Sequence, residues 1–195
     1  AVDELFHLGE GVFLTGATGF LGAYLLAELL HQTSAEIVCL VRAADLAVGF
    51  QRIQANLHRY GLWTAQAEAR VTVVVGDLAQ PLFGLIPAAF DELAQGIDII
   101  YHNAAVTSFV QPYEALKPIN VLGTHEVIRL CCTSHCKPLH HISTMGVFEP
   151  LLVSRSLIRE SDSPDDSAGL SVGYTRSKWV AERLVGLARE RGLPA

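Results

Sequence analysis

The stretch Val12-Phe13-Leu14-Thr15-Gly16-Ala17-Thr18-Gly19-Phe20-Leu21-Gly22 constrains this chain more than any other. A short run of strand character leads straight into three glycines, and these lead straight into the helical period of Phe20–His31. Gly16 permits the tight turn that leaves the strand. Gly19 lets the backbone come up against a pyrophosphate, and Gly22 lets the helix pack closely on the strand. The helix that follows presents unpaired N–H groups to an anion in the turn. Three glycines alone are a weak sign. Set between a strand and a helix at the start of a β-α-β unit, they point to a dinucleotide site built from Thr15, Gly16, Thr18, Gly19, Phe20 and Leu21.

The rest of the chain has the repeat that such a site requires. Strand patterns at Val12–Thr15, Ile37–Val41, Val71–Val75, Ile97–His102 and Pro138–Ile142 alternate with helical patterns at Phe20–His31, Phe50–Tyr60, Ala88–Gln95, Ala115–Cys132 and Gly173–Arg191. This predicts an α/β chain with a doubly wound parallel sheet of Rossmann type. A length of 195 residues, 50% of them hydrophobic, suits one core and is short for two ordinary domains. Residues 1–195 therefore read as a single NAD(P)-binding domain. A doubly wound fold begins its next strand about where Gly192-Leu193-Pro194-Ala195 stands, so the chain reads as the N-terminal part of a larger domain. The polar segment Arg159–Gly169 reads as a mobile surface loop.

Composition removes several function classes. A net charge of −6 speaks against a nucleic-acid partner, which calls for clustered Lys and Arg. No apolar run reaches the roughly 18 residues that span a bilayer, and Ala1–Glu10 lacks a basic stretch followed by an apolar one. A soluble, cytoplasmic protein without a membrane partner is expected, with its four cysteines reduced. The cluster Cys131, Cys132, His135, Cys136, His140, His141 matches no zinc spacing, and adjacent helical cysteines diverge by about 100°. No metal is expected there.

The strand ends carry the remaining cofactor signals. Cys39-Leu40-Val41 is followed by Arg42, where a dinucleotide enzyme reads the adenosine ribose. An acid there would accept the free 2′-hydroxyl. Arg42 offers instead a planar cation suited to a 2′-phosphate, and Arg52, one helix on, adds a second, so NADPH is expected rather than NADH. In Gly76-Asp77-Leu78 the Asp77 carboxylate suits the adenine amino group and Leu78 the face of the base. Asn103, Ala104 and Ala105 leave room for the adenosine ribose, while His102 reads as a strand-end hydrogen-bonding residue.

Tyr174 and Lys178 lie four residues apart on one helical face. An ammonium beside a phenol favours the phenolate, which prepares the hydroxyl for proton transfer at a carbonyl, and the same lysine can hold a nicotinamide ribose. A hydroxyl at the end of the fifth strand would face them, and the residues alone leave Ser143 and Thr144 as equal candidates. Asn120 is helix-unfavourable and is expected to anchor a water or a backbone kink near the lysine.

Together these motifs resemble the extended short-chain dehydrogenase/reductases, from about Val12 to the last residue. Within that group, Val12 to Gly22, Leu40-Val41-Arg42-Ala43, Gly76-Asp77-Leu78, Tyr101-His102-Asn103-Ala104-Ala105, Asn120-Val121-Leu122-Gly123-Thr124 and Tyr174-x-x-Ser177-Lys178-Trp179-Val180-Ala181-Glu182 look like the thioester reductase domains that terminate nonribosomal peptide synthetases and carboxylic acid reductases. The resemblance implies a catalytic set of Thr144, Tyr174 and Lys178, favouring Thr144 over Ser143. It also implies Arg42 and Arg52 as NADPH phosphate ligands, and a C-terminal substrate-binding region beyond these residues. The implied partner is an acyl or peptidyl carrier protein with its phosphopantetheine arm, within a multidomain synthetase. The implied reaction is reductive release of the thioester as an aldehyde, or onward to an alcohol. Two rival readings stand beside it. A nucleotide-sugar epimerase or dehydratase uses the same trio but favours NAD and an acid at position 42, and a non-catalytic dinucleotide sensor would lack the tyrosine.

Overall fold

Period-two alternation along the first strand divides the molecule. In β1 (Gly11–Thr15), Val12 and Leu14 enter one buried cluster and Phe13 enters another on the opposite face of the sheet. The computed structural model describes residues 11–149, 151, 157–159, 162, 164 and 169–195. β2 (Glu36–Val41) repeats the division, with Ile37, Cys39 and Val41 on the first side and Leu40 on the second. β3 (Val71–Val75), β4 (Ile99–His102) and β5 (Leu139–His141) complete a sheet of order β3-β2-β1-β4-β5, all of whose pairings are parallel.

Helices α1 (Phe20–Gln32), α2 (Leu46–Arg59) and α3 (Ala65–Arg70) cover the first face. The other face is covered by α4 (Pro87–Gly96), the broken helix α5 (Tyr113–Lys117) to α6 (Gly123–Cys132), and α7 (Gly173–Glu190). The chain leaves β1 towards β2 and returns past it to β4. The order therefore reverses between β1 and β4, and the carboxyl ends of those strands open on a crevice where ligands of this fold bind.

The expected strands and helices are present, with shifted ends. α2 starts at Leu46 rather than Phe50 because Asp45 caps it, accepting from the Val48 N–H at 2.8 Å. α3, capped by Thr64, has no counterpart among the helices expected from the sequence. The helix expected over Ala115–Cys132 is interrupted by a π turn, Pro118–Leu122. Pro118 lacks a backbone donor, and the Asn120 side chain bonds elsewhere. Beyond α7 the Pro194 carbonyl accepts from Leu139 N–H at 2.8 Å, so the last residues lie along the outer edge of β5. Most of the segment expected as a loop, Arg159–Gly169, lies outside the described residues. Among those described, no helix is long and apolar enough to cross a membrane.

Candidate active site

The phosphate loop has the geometry its glycines suggest. Gly16 sits at φ +80°, and a Cβ there would lie 2.8 Å from the Ala104 nitrogen. A Cβ on Gly22 would lie 1.9 Å from the Gly16 carbonyl oxygen, so α1 can press against the turn only at a glycine. Gly19 differs. A Cβ there would meet only the Gly16 oxygen, at 3.4 Å, and the backbone (φ −95°) suits any residue. The fold does not need glycine at 19, whereas a group approaching the loop backbone does. No side chain caps α1, so its first N–H groups open towards the cleft that Phe20 and Leu21 line.

That cleft, of about 480 Å³, runs across the carboxyl ends of the strands. It gathers Thr15, Gly16, Thr18, Gly19, Phe20, Leu21, Arg42, Arg52, Asp77, Leu78, Asn103, Ala104, Ala105, Tyr174 and Lys178. Arg52 donates to the Arg42 carbonyl, which brings both guanidinium-bearing residues to one end. Asp77 Oδ1 accepts from Ala79 N–H at 2.9 Å, fixing its carboxylate in the turn after β3. Leu78 packs against Gly123, where a Cβ would come within 2.9 Å of it.

Behind the loop, a directed hydrogen-bond chain locks β1 to β4 and to the helix break. Thr124 Oγ1 donates to Asn120 O (2.7 Å) and so accepts from His102 Nε2 (3.0 Å). His102 Nδ1 then accepts from Thr15 Oγ1 (2.8 Å), which in turn accepts from Ala104 N–H (3.0 Å). His102 is neutral in this chain. Burial above all, helped by His141 and Lys178, holds its pKa well below the ordinary value.

At the opposite end Tyr174, in the first turn of α7, lies edge-on to Phe109 with ring centroids 5.7 Å apart. Lys178 is buried. Its Nζ donates to the Ile142 carbonyl at 2.7 Å and meets His141 Nε2 at 3.4 Å. Burial lowers its pKa to about 8, against the opposing pull of Glu182. The two hydroxyl candidates differ in their bonding. Ser143 lines the cleft but donates its hydrogen to the Glu182 carboxylate. Thr144 is not among the lining residues. Its Oγ1 accepts from Gly146 N–H at 3.2 Å, and its own hydrogen has no acceptor among the described residues. Asn120 lies in the π turn, near the lysine as expected: its amide pairs with both backbone groups of Val106 (2.7 and 3.0 Å) and donates to Ser177 Oγ (2.9 Å), the residue before Lys178.

Sequence reasoning missed three residues here. Asn56 of α2 donates to the Ala17 and Gly19 carbonyls (3.0 and 2.9 Å) and pins the phosphate loop from outside. Glu126 accepts from Leu82 N–H at 2.8 Å and holds a turn whose Leu82 and Phe83 are left-handed (φ 52° and 59°). The Phe83 carbonyl then accepts from Asp77 N–H at 2.9 Å. His141, which in the sequence stands out only as part of a cysteine–histidine cluster, touches the lysine.

The neutral histidines make the domain acid-sensitive. Burial, with Lys178 beside it, lowers His141 to about 3, whereas an unfolded histidine titrates near about 6.5. Both folded pKa values are depressed, so the unfolded chain binds more protons below about pH 6.5. The stability they contribute is fully present above that pH. As pH falls it is lost at up to about 1.4 kcal/mol per pH unit per histidine, ending for His141 near its folded value. Thermal melts between about pH 7 and about pH 5 should show the melting temperature falling through this window. A flat profile there would rule out buried neutral histidines.

The sheet, the glycine cradle and the crevice at the switch point define a pyridine-dinucleotide-binding Rossmann domain. The model of the NAD_binding_4 family, male sterility protein, matches residues 14–195, and the chain belongs to that family. A linear gramicidin synthase of Brevibacillus parabrevis is 50% identical over 186 residues, covering 95% of this chain and 4% of the relative. The crystal structure of the terminal R domain from the myxalamid PKS-NRPS biosynthetic pathway has a TM-score of 0.91 at 46% identity, over 94% of this chain and 47% of that one. A reductase (R) domain of a non-ribosomal peptide synthetase from Mycobacterium tuberculosis has a TM-score of 0.75 at 33% identity, over 95% and 46%. The chain thus spans about half the length of these solved reductase domains.

Proposed function

We propose that this chain is the cofactor-binding, proton-donating part of an NADPH-dependent thioester reductase. Such an enzyme would release an acyl or peptidyl group from the phosphopantetheine arm of a carrier protein, within a multidomain synthetase, as an aldehyde. One observation carries the reading: a single cleft has Arg42 and Arg52 at one end and Tyr174 and Lys178 at the other. The family and the names of its relatives supply the substrate class.

When bound, the nicotinamide supplies hydride to the thioester carbonyl carbon. The α1 N-terminus and Gly19 receive the pyrophosphate, Arg42 and Arg52 the 2′-phosphate, and Asp77 with Leu78 the adenine. Asn103, Ala104 and Ala105 form the wall beside the adenosine ribose. Lys178 holds the nicotinamide ribose on the face of α7 that also carries Tyr174. The Tyr174 and Thr144 hydroxyls would donate to the carbonyl oxygen. They stabilise the oxyanion, and Tyr174 protonates it before the hemithioacetal expels the thiol.

Supplying the complete reductase with NADPH and an acyl group loaded on a carrier protein tests this directly. Aldehyde should appear in step with NADPH consumption. Turnover of a nucleotide sugar with no aldehyde from the thioester would replace the reading with the epimerase or dehydratase one. Arg42→Ala should weaken NADPH binding roughly 10- to 150-fold, the equivalent of about 1.5–3 kcal/mol for a charge-assisted pair, and leave NADH binding nearly unchanged. Equal affinity of parent and variant for NADPH would overturn the phosphate role.

A further inference from the structure

We propose that His141 is a positioning residue for Lys178: its bare Nε2 accepts one ammonium hydrogen and thereby aims another into the cleft. The proposal rests on the part given to Lys178 above. An ammonium has three hydrogens and nothing to accept with, so the 3.4 Å contact between Lys178 Nζ and His141 Nε2 is a hydrogen bond only if Nε2 carries no proton. A neutral imidazole then keeps its proton on Nδ1. That nitrogen is buried and has no hydrogen-bond partner among the described residues. A buried unpaired donor calls for an explanation, and the lysine supplies it, because the opposite tautomer would turn an N–H against an ammonium.

The consequence is directional. Ile142 O takes one Lys178 hydrogen at 2.7 Å and His141 takes a second, both at the end of β5. The third is left for the cleft that Lys178 lines, where Tyr174 also stands. The surroundings of His141 favour its neutral form. His102 on β4, itself held neutral chiefly by burial, lies with its ring centroid 5.3 Å away, and Lys178 faces it from α7. The Glu182 carboxylate on the same helix accepts from Ser143. His140, its neighbour on β5, stacks instead on Tyr101 with centroids 4.4 Å apart. The acceptor also keeps a desolvated ammonium charged. Loss of that acceptor is expected to let the lysine lose its proton at still lower pH, since a hydrogen bond to the charged form favours it.

The test reads the lysine itself. In the complete reductase with ¹³C-labelled lysine, the Lys178 signal should titrate about one pH unit lower in His141→Phe than in the parent, and His141→Gln, which restores an acceptor, should recover most of the shift. The alkaline limb of kcat/KM should move by the same amount. An unshifted Lys178 midpoint in a folded His141→Phe protein overturns the proposal. So does an Nε2–H tautomer of His141 in the ¹⁵N spectrum of the parent, a measurement that stands even if the phenylalanine variant does not fold. Because titration and tautomer are read without turnover, failure to reduce thioesters would sink the reading of function and leave this test intact.

Discussion

Tyr174→Phe should cut reduction at least about 100-fold and leave dinucleotide affinity nearly unchanged. The substitution removes one oxygen from a ring in the first turn of α7, packed edge-on against Phe109, and the ring packing survives it. In the proposed reaction the lost hydroxyl is the proton donor to the carbonyl oxygen. A positioned acid contributes roughly 100-fold or more, so turnover should fall by at least that factor. The binding groups at the far end of the cleft are untouched. Lys178→Ala should behave differently and weaken both affinity and turnover, because the proposal gives its ammonium the ribose as well as the phenol. Single-turnover reduction of a carrier-bound thioester, alongside a fluorescence titration with NADPH, separates the two variants. A phenylalanine enzyme working at more than about a tenth of the parent rate would end the proton-donor assignment.

What the sequence revealed follows from how local its signals are. The phosphate loop is read from consecutive residues because strand, glycines and helix adjoin. The strands are read from alternation that the two faces of the sheet do enforce, as Val12, Phe13 and Leu14 show. Asn56 was invisible because its partners, Ala17 and Gly19, lie 39 and 37 residues away and nothing local marks it. The same holds for Glu126, whose carboxylate reaches Leu82 from 44 residues on. The helix break at Pro118–Leu122 was half legible: Asn120 signalled a kink, but the bonds to Val106 and Ser177 that fix it join three separate segments. Between Ser143 and Thr144 the residues alone offered no choice, and only the family resemblance favoured Thr144. The structure separates their bonding: Ser143 donates to Glu182 and Thr144 accepts from Gly146 N–H.

The two glycines three apart in the loop should separate stability from binding. In Gly22→Ala the new Cβ would sit 1.9 Å from the Gly16 oxygen and 2.9 Å from the Ala17 Cα, both backbone atoms that cannot swing aside. The helix or the turn must move, at a cost of about 3 kcal/mol. In a domain of this size that lowers the melting temperature by about 6–12 °C, and cofactor binding falls with the distorted turn. Gly19→Ala meets no such obstacle. Its Cβ has one neighbour, at 3.4 Å, and its backbone angles suit alanine, so the melting temperature should stay within about 2 °C of the parent. What the methyl takes up is the approach to the loop backbone, and dinucleotide affinity should fall about tenfold or more. Melting curves and dinucleotide titrations on the two variants decide the matter. If Gly19→Ala bound like the parent, the pyrophosphate would not lie against that turn, and the cleft would have to hold its ligand some other way.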